Sequence, residues 1–426
     1  MSTTVMVIGA GQRGRIYADL MHELGARVVA VAEPDPDRRE RFAREFQLEP
    51  EGVFIDWQAA LATPRLADVA VISTQDQDHV APAVAAATLG YQLLIEKPMA
   101  TDRAGARAIV AAVEQAGVIA AVCHVMRYTA YTRQLKRLLV EGAIGRIIGM
   151  QHLEPVGWWH FAHSFVRGNW RRAEESSSLL LQKCVHDIDW IAYIMDEPVR
   201  SVSSFGSLQE FRPENRPSKA AGRCLDCPID ECPYDATRIY RGFLDDPQHR
   251  VWPLAVLTPD PDRTTLDQAL RTGPYGECVY LGRNDVVDHQ VVSMEFSSGA
   301  NVSFMVSAFT EMANRKTRIF GHRGWIEGDG SVITVFDFAT TAARIYDTAA
   351  GGSSAAEGHG GGDRGMIAAF LQAVVSGDQA LVESTPAVSL TALEITWAAE
   401  EAREHHTVVD LGDAIATGPL AEQSTL

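Results

Sequence analysis

The chain has 426 residues, a formal net charge of −17, 46% hydrophobic residues and six cysteines. That length exceeds one small core and calls for two domains, while the acidic balance argues against nucleic acid or an anionic membrane as a partner. The apolar runs are too short for a membrane span, the first strand starts too close to the N-terminus to leave room for a signal peptide, and six cysteines in such a chain do not suggest a disulfide framework, so a cytoplasmic location is expected.

Residues 5–8 read as a buried strand that runs into Gly9-x-Gly11-x-x-Gly14, with Gln12 and Arg13 inside the loop and a helix over 15–24 behind it. Gly9 permits the tight turn, Gly11 lets the backbone approach a pyrophosphate, and Gly14 lets the helix pack close to the strand. The helix N-terminus then offers free N–H groups and a positive dipole end to the anion. A second strand over 27–32 follows at βαβ spacing and ends on Glu33. That carboxylate lies roughly 20 residues past the glycines, where it accepts hydrogen bonds from the adenosine ribose and repels a 2′-phosphate, so NAD is expected rather than NADP.

The alternation continues with a helix over 36–46, a short strand at 53–54, a strand over 68–74, a helix over 79–89, and a strand over 92–95 that ends in Glu96-Lys97-Pro98. A helix over 102–116 and a strand over 118–122 follow. Strands alternating with helices predict a doubly wound parallel sheet whose ligands bind at the carboxyl ends of the strands, where Lys97 stands. This α/β Rossmann domain is expected to cover 1–123, and an α+β domain for substrate binding and self-association to cover 124–426.

In the second domain a helix over 129–141 precedes a strand over 145–153, and longer alternating strands follow at 199–207, 288–296, 300–309, 317–320, 324–328 and 331–336. They predict an open, mostly antiparallel sheet. Residues 210–280 read as an insertion with little regular structure and too few apolar residues to order itself. It carries Cys224-x-x-Cys227, Cys232 and Cys278, a set suited to a structural zinc; free thiols and an iron–sulfur cluster are the other readings. Residues 349–362 are Gly/Ser/Ala-rich and read as a mobile loop or linker, before two helices over 364–375 and 387–404 that pack on the sheet.

Gly9-x-Gly11-x-x-Gly14, Glu96-Lys97-Pro98 and a downstream His186 followed by Asp189 together resemble the Gfo/Idh/MocA family of glucose-fructose oxidoreductases and inositol dehydrogenases, over nearly the whole chain. The resemblance implies a Rossmann domain joined to a C-terminal mixed sheet, and hydride transfer between a sugar-like carbon and nicotinamide. It also implies that Lys97 bonds the reacting hydroxyl and that His186 takes its proton. Ser73, Thr74, His79 and Glu96 would lie beside the cofactor, and His124 with Arg127 at the domain junction. A homodimer or homotetramer built through the open sheet is implied as well. The family commonly has a Gly-rich run, an Asp, and then His four residues later. Here the run is Ser176-Ser177-Ser178 and Gln182 takes the Asp position. Asp187 or Asp189 could orient His186 instead, and Lys183 could add positive charge.

Oxidising a secondary alcohol needs a hydride acceptor, a base for the hydroxyl proton and a cation that favours the forming alkoxide. Lys97 and His186 suit the last two roles. Trp158, Trp159, His160, His163, Arg167, Trp170 and Arg171 suit a polyol, since sugar faces stack on indole while hydroxyls need donors and acceptors. The two arginines equally suit an acid group, and the stretch also reads as a loop packed by its own aromatics. His289, on a sheet strand, is a further candidate. The expected activity is NAD-dependent oxidation of a sugar, cyclitol or glycoside. An alternative is a glycoside hydrolase that works by transient oxidation, elimination, hydration and re-reduction, on a substrate that includes anionic glycosides such as a sulfoquinovoside. A third reading is a non-catalytic NAD-binding sensor or scaffold.

Overall fold

A computed structural model describes residues 2–348 and 359–412. The first sheet contains β1 (Thr4–Ile8), β2 (Arg27–Ala32), β3 (Val53–Phe54), β4 (Val69–Ile72), β5 (Gln92–Ile95) and β6 (Ala120–Val122), in the order β3-β2-β1-β4-β5-β6. Every pair is parallel. Helices on both faces explain why β1, β4, β5 and β6 are near-continuous apolar runs rather than alternating ones. The covering helices begin where the sequence supplies caps: Asp35 accepts from the Arg38 N–H ahead of Pro36–Glu45, and Asp102 from the Gly105 N–H ahead of Arg103–Ala116. The strand order reverses between β1 and β4, which opens a crevice at their carboxyl ends.

The second sheet has nine strands: β7 (Ile147–Pro155), β8 (Val199–Ser207), β9 (His289–Phe296), β10 (Asn301–Ser307), β11 (Lys316–Gly321), β12 (Gly324–Gly328), β13 (Val332–Asp337), β14 (Ala342–Asp347) and β15 (Val408–Asp410). They run β14-β13-β12-β11-β7-β10-β9-β8-β15. β7 and β10 pair parallel and the other pairs are antiparallel. The expected open, mostly antiparallel sheet is therefore present. On β10, Val302, Phe304 and Val306 point into the core while Ser303 and Met305 face out. The helix Pro386–His405 packs between β8 and the helices Arg103–Ala116 and Val185–Met195, tying the two sheets together.

Three expectations change. The insertion is ordered: Ala236–Gly242 and Arg263–Thr272 are helices, and Ala236, Ile239, Tyr240, Leu254, Leu266 and Leu270 form a small apolar core of its own. Its apolar residues are few but lie at helical spacing on facing helices, which suffices. The helix Gly362–Ser376 closes back on the first sheet, where Met366, Ile367 and Phe370 join Val5 and Val7 in one buried cluster. Of the stretch read as a linker, residues 349–358 lie outside the described residues, and 359–361 form a short turn that leads into that helix. Among the described residues no helix is long and apolar enough to cross a membrane.

Candidate functional site

The glycine-rich turn is shaped by its neighbours. Gly9 has φ +95°, and a Cβ there would sit 2.5 Å from the Ser73 carbonyl oxygen. At Gly14 a Cβ would sit 2.1 Å from the Gly9 carbonyl oxygen and 2.5 Å from Ser73 Oγ. By contrast, a Cβ on Gly11 would meet nothing within 4 Å. Packing therefore demands glycine at Gly9 and Gly14, whereas Gly11 faces open space, the side from which a pyrophosphate would approach the N-terminus of Gln12–Glu23. Glu33 ends β2 buried, its Oε2 accepting from the Ala10 N–H at 2.7 Å and its Oε1 from the Asp35 N–H at 3.0 Å. Ser73 Oγ donates to the Gly9 carbonyl at 2.8 Å, and among the described residues the buried Thr74 Oγ1 has no partner. His79 is held between the Pro98 and Thr74 carbonyls at 2.8 and 3.2 Å. These features suit a dinucleotide: an uncovered turn, a carboxylate fixed at the end of β2, and an unspent hydroxyl at the end of β4.

Arg13 turns away from that opening. Its Nε donates to Glu96 Oε1 at 2.7 Å and its Nη2 to Asp363 Oδ1 at 2.5 Å. Burial alone would raise the Glu96 pKa, but Arg13 and Lys97 outweigh it and hold the carboxyl below its ordinary range. Lys97 is itself buried, and desolvation lowers its pKa despite Glu96 and Asp76. Its Nζ donates to the Gln182 carbonyl at 2.7 Å.

That contact brings Lys97 to His186, one turn further along and inside the first turn of Val185–Met195. Burial, then the Lys97 cation, then His124 hold His186 well below the usual histidine range, and the positive end of the helix works in the same direction. His186 is thus neutral, and among the described residues its buried Nδ1 has no hydrogen-bond partner. Neither Asp187 nor Asp189 orients it. Asp187 is taken by Arg315 Nε at 2.9 Å and by His152 Nε2 at 3.1 Å. Asp189 is gripped by Arg127 through two bonds of 2.8 Å. Asp187 points away because adjacent helical residues diverge by about 100°, whereas Asp189, three residues on and near the same face, is drawn off by Arg127.

Lys183 faces the pocket with its Nζ 3.3 Å from Glu154 Oε1. Arg315 Nε lies 2.6 Å from Glu154 Oε2, a close charge contact off the hydrogen-bond direction. His160 is held well below the histidine range by burial and then by Lys183. His124 lies edge-on to His186, ring centroids 6.0 Å apart, with its Nε2 bonded to Ser389 Oγ at 2.8 Å. Other candidates are committed elsewhere. Arg127 is spent on Asp189 and the Glu383 carbonyl. Arg167 donates to the Glu277 and Tyr234 carbonyls, both at 2.8 Å, and so anchors the insertion. His163 bonds Tyr240 and stacks on Tyr275, and burial pushes its pKa down to about 3. Trp158 packs toward Tyr234, Trp159 against Phe243 and Trp252, and Trp170 on Phe165. Arg171 pairs loosely with Glu175, and His289 with its neighbour Asp288.

Cys224, Cys227, Cys232 and Cys278 line one cavity beside Arg167, all as free thiols. Among the described residues, however, no group of three or more His, Cys, Asp or Glu side chains is placed to hold a metal ion. The structural zinc expected from their spacing is thus not supported, and the insertion rests on its own apolar core instead. Sequence reasoning missed Arg315, Glu154, His359 and Asp363. Asp363 binds both Arg13 and His359, and His359 lies 6.1 Å from His186, centroid to centroid. No local motif marks them: Arg315, Glu154 and Asp363 each take an ionic partner distant in sequence, and the four-residue His359–Asp363 spacing alone signals nothing.

With this geometry in view, the chain matches the model of an oxidoreductase family with an NAD-binding Rossmann fold over residues 3–124, and that family's C-terminal alpha/beta domain over residues 136–411. It is 23% identical over 270 residues to the putative oxidoreductase YteT of Bacillus subtilis, covering 62% of this chain and 60% of that one. It is 27% identical over 202 residues to a 2,7-anhydro-N-acetylneuraminate hydratase of Escherichia coli, covering 47% and 51%. Identity to an inositol 2-dehydrogenase of Streptomyces avermitilis is 31% over 205 residues, covering 47% and 55%. The chain thus spans about half to three-fifths of the length of these curated relatives. In fold it resembles an oxidoreductase from Agrobacterium radiobacter solved with NAD+, L-tartaric acid and magnesium, with a TM-score of 0.70, 16% identity, and coverage of 96% and 98%.

Proposed function

Because the chain belongs to the Gfo/Idh/MocA oxidoreductase family, with its NAD-binding Rossmann fold and C-terminal alpha/beta domain, we propose that it moves a hydride between a secondary hydroxyl of a sugar or cyclitol and nicotinamide. The observation that carries this reading is the meeting of Lys97 with His186 at the carboxyl end of β5: a buried cation beside a neutral imidazole. Residues 1–123 hold the cofactor in this reading, and residues 124–426 the substrate and the subunit contact. Gly9, Gly11, Gln12, Gly14, Glu33, Ser73 and Thr74 line the cofactor cleft, with His79 and Glu96 bracing it; Arg13 acts through Glu96 and Asp363. Bound NAD supplies the two-electron acceptor.

His186 takes the hydroxyl proton, for which it must be neutral, and its depressed pKa keeps it so at neutral pH. Lys97 donates a hydrogen bond to the same oxygen and favours the alkoxide as it forms. Lys183 and His160 line the substrate side, and His124, buried against Ser389, backs His186. Arg127, Arg167 and His163 brace the walls rather than touch substrate in this reading, since Arg127 holds Asp189 and the Glu383 carbonyl, Arg167 Nε and Nη2 hold the insertion, and His163 Nδ1 holds Tyr240. The relative named inositol 2-dehydrogenase supports a cyclitol or sugar as substrate. The relative named as a hydratase supports the second reading, in which oxidation is transient and precedes elimination and hydration.

Self-association through the second sheet belongs to the same proposal. Phe205, Val291, Met305 and Leu153 stand in register across β8, β9, β10 and β7 on its outer face, with Phe205 61% and Met305 43% exposed. A cytoplasmic setting completes it. The decisive experiment follows absorbance at the NADH wavelength as the purified protein and NAD meet free sugars, cyclitols, anhydro-sugars and aryl glycosides, with aglycone release measured in parallel. Stoichiometric NADH with an intact glycosidic bond supports the dehydrogenase. Aglycone release with no net NADH supports the second reading, and NAD binding with neither outcome leaves a sensor.

A further inference from the structure

Besides His124 and His160, a further imidazole stands near His186 that the Lys97–His186 pair does not use. His359 Nδ1 lies 2.8 Å from Asp363 Oδ2, four residues on and in the first turn of Gly362–Ser376. Asp363 Oδ1 accepts from Arg13, so both oxygens of this buried carboxylate are engaged; burial favours its neutral form, but Arg13 and His359 outweigh that and keep it ionised. An ionised acceptor at Nδ1 fixes the tautomer, with the proton on Nδ1 and the lone pair on Nε2. Among the described residues Nε2 has no partner. His359 holds φ +45°, a conformation that a non-glycine residue rarely adopts, and the Asp363 contact retains it there.

The distance to His186 has a chemical meaning. Centroids 6.1 Å apart are too far for a direct ring-to-ring hydrogen bond. Two hydrogen bonds of about 2.8 Å each, end to end, span a gap of this size, so the two rings can share one substrate atom or two adjacent ones. His124 is equally near His186 but spends its Nε2 on Ser389 and is only 1% exposed. The His359 side chain is 18% exposed and reachable. The charged and titratable groups around it are Asp363, Arg13, Arg315 and His186, and burial keeps it neutral against the pull of Asp363.

Oxidation of an alcohol needs one base, and His186 supplies it. We propose that His359, oriented by Asp363, is a second proton-transferring residue, which acts on the carbon next to the one that carries the reacting hydroxyl. With the ketone formed, His359 Nε2 takes the proton of the adjacent C–H. The C–H bond breaks and an N–H bond forms, the C–H electron pair becomes the C=C bond, and the carbonyl π pair moves onto oxygen, where Lys97 donates a hydrogen bond. Return of the proton reverses the step. This rests on the reading that the site oxidises a secondary hydroxyl, and it supplies the proton transfer that elimination and hydration require.

The test uses the NAD-loaded protein, its H359Q and D363N variants, and two readouts. In the first, imidazole NMR follows the His186 titration in the absence of substrate. H359Q is expected to shift it, and a His186 titration unmoved by H359Q overturns the placement whether or not any sugar is turned over. In the second, 2-keto-myo-inositol and 1,5-anhydrofructose are incubated in deuterium oxide, and deuterium at the carbon beside the ketone is measured. H359Q is expected to slow exchange by about 100-fold or more, and alcohol oxidation by much less. D363N, which leaves the imidazole in place, is expected to fall between them and covers the case in which H359Q does not fold. Equal loss of exchange and oxidation, or no exchange by a wild-type protein that oxidises the parent alcohol, overturns the proposal. Failure of every alcohol to give NADH counts against the activity reading alone.

Discussion

The glycine-rich turn after β1 and the Lys97–His186 site after β5 both stand at the carboxyl end of the first sheet but are held by different means. The turn is made of backbone: Gly9 and Gly14 are required by contacts with Ser73 and with each other, and Glu33 is fixed by two main-chain N–H groups. The pocket is made of side chains brought from far apart. Arg315 and Asp187 are separated by 128 residues, and Arg13 and Asp363 by 350. A backbone site tolerates change wherever no atom is crowded. A buried charge network does not, because each partner removed leaves another charge uncompensated.

His186→Ala breaks the pocket most severely. It is expected to lower turnover by about 10²–10⁴ while NAD binding, measured by fluorescence titration, stays as it is. Retained turnover would remove His186 from the mechanism. Arg315→Met comes next: it removes the guanidinium that Asp187 and Glu154 share, leaving them only His152 and Lys183, and is expected to destabilise the fold by about 3–5 kcal/mol in urea unfolding. A loss below about 1 kcal/mol would mean that the network is not buried as described.

Two alanines sharpen the contrast at the turn. Gly14→Ala pushes a Cβ into the Gly9 carbonyl and is expected to cost about 1–3 kcal/mol of stability together with NAD affinity. Gly11→Ala meets no atom of the described residues within 4 Å, so the melting temperature is expected to hold while NAD affinity falls about tenfold, roughly 1.4 kcal/mol. Equal effects on stability would show that Gly11 serves packing rather than the ligand.

A smaller effect comes from pH. Burial depresses the pKa values of His124, His160, His163, His186 and His359 below the ordinary value of 6.5. In the window between each depressed value and 6.5 the unfolded chain binds more protons than the folded one, so stability is lost as pH falls below about 6.5 and is regained above it. Melting temperatures across pH 5 to 8 check the sign. The smallest effect lies on the outer sheet face, where Met305→Glu is expected to lower the light-scattering mass toward the 46.5 kDa chain with little change in NAD binding.

Residues that act through local spacing were legible in the sequence. Gly9, Gly11, Gly14 and Glu33 were readable because a βαβ unit fixes the geometry of about 30 consecutive residues, and Lys97 because it ends a buried parallel strand. The parallel first sheet and the open second sheet followed from the alternation of strands and helices and from strand periodicity, whereas the order of the strands did not. Side-chain direction was not legible. Asp187 and Asp189 both looked able to orient His186, yet each faces a cation elsewhere, since burial and not proximity in sequence decides where a carboxylate points. The cysteine spacing suggested a metal, while the amphipathic faces of Ala236–Gly242 and Arg263–Thr272 let the insertion close on itself. By itself the sequence determined the fold class and the place where a dinucleotide would lie. Only the tertiary structure brought His359, Asp363 and Arg315 to His186, because those contacts arise from chain closure over hundreds of residues, which no local pattern encodes.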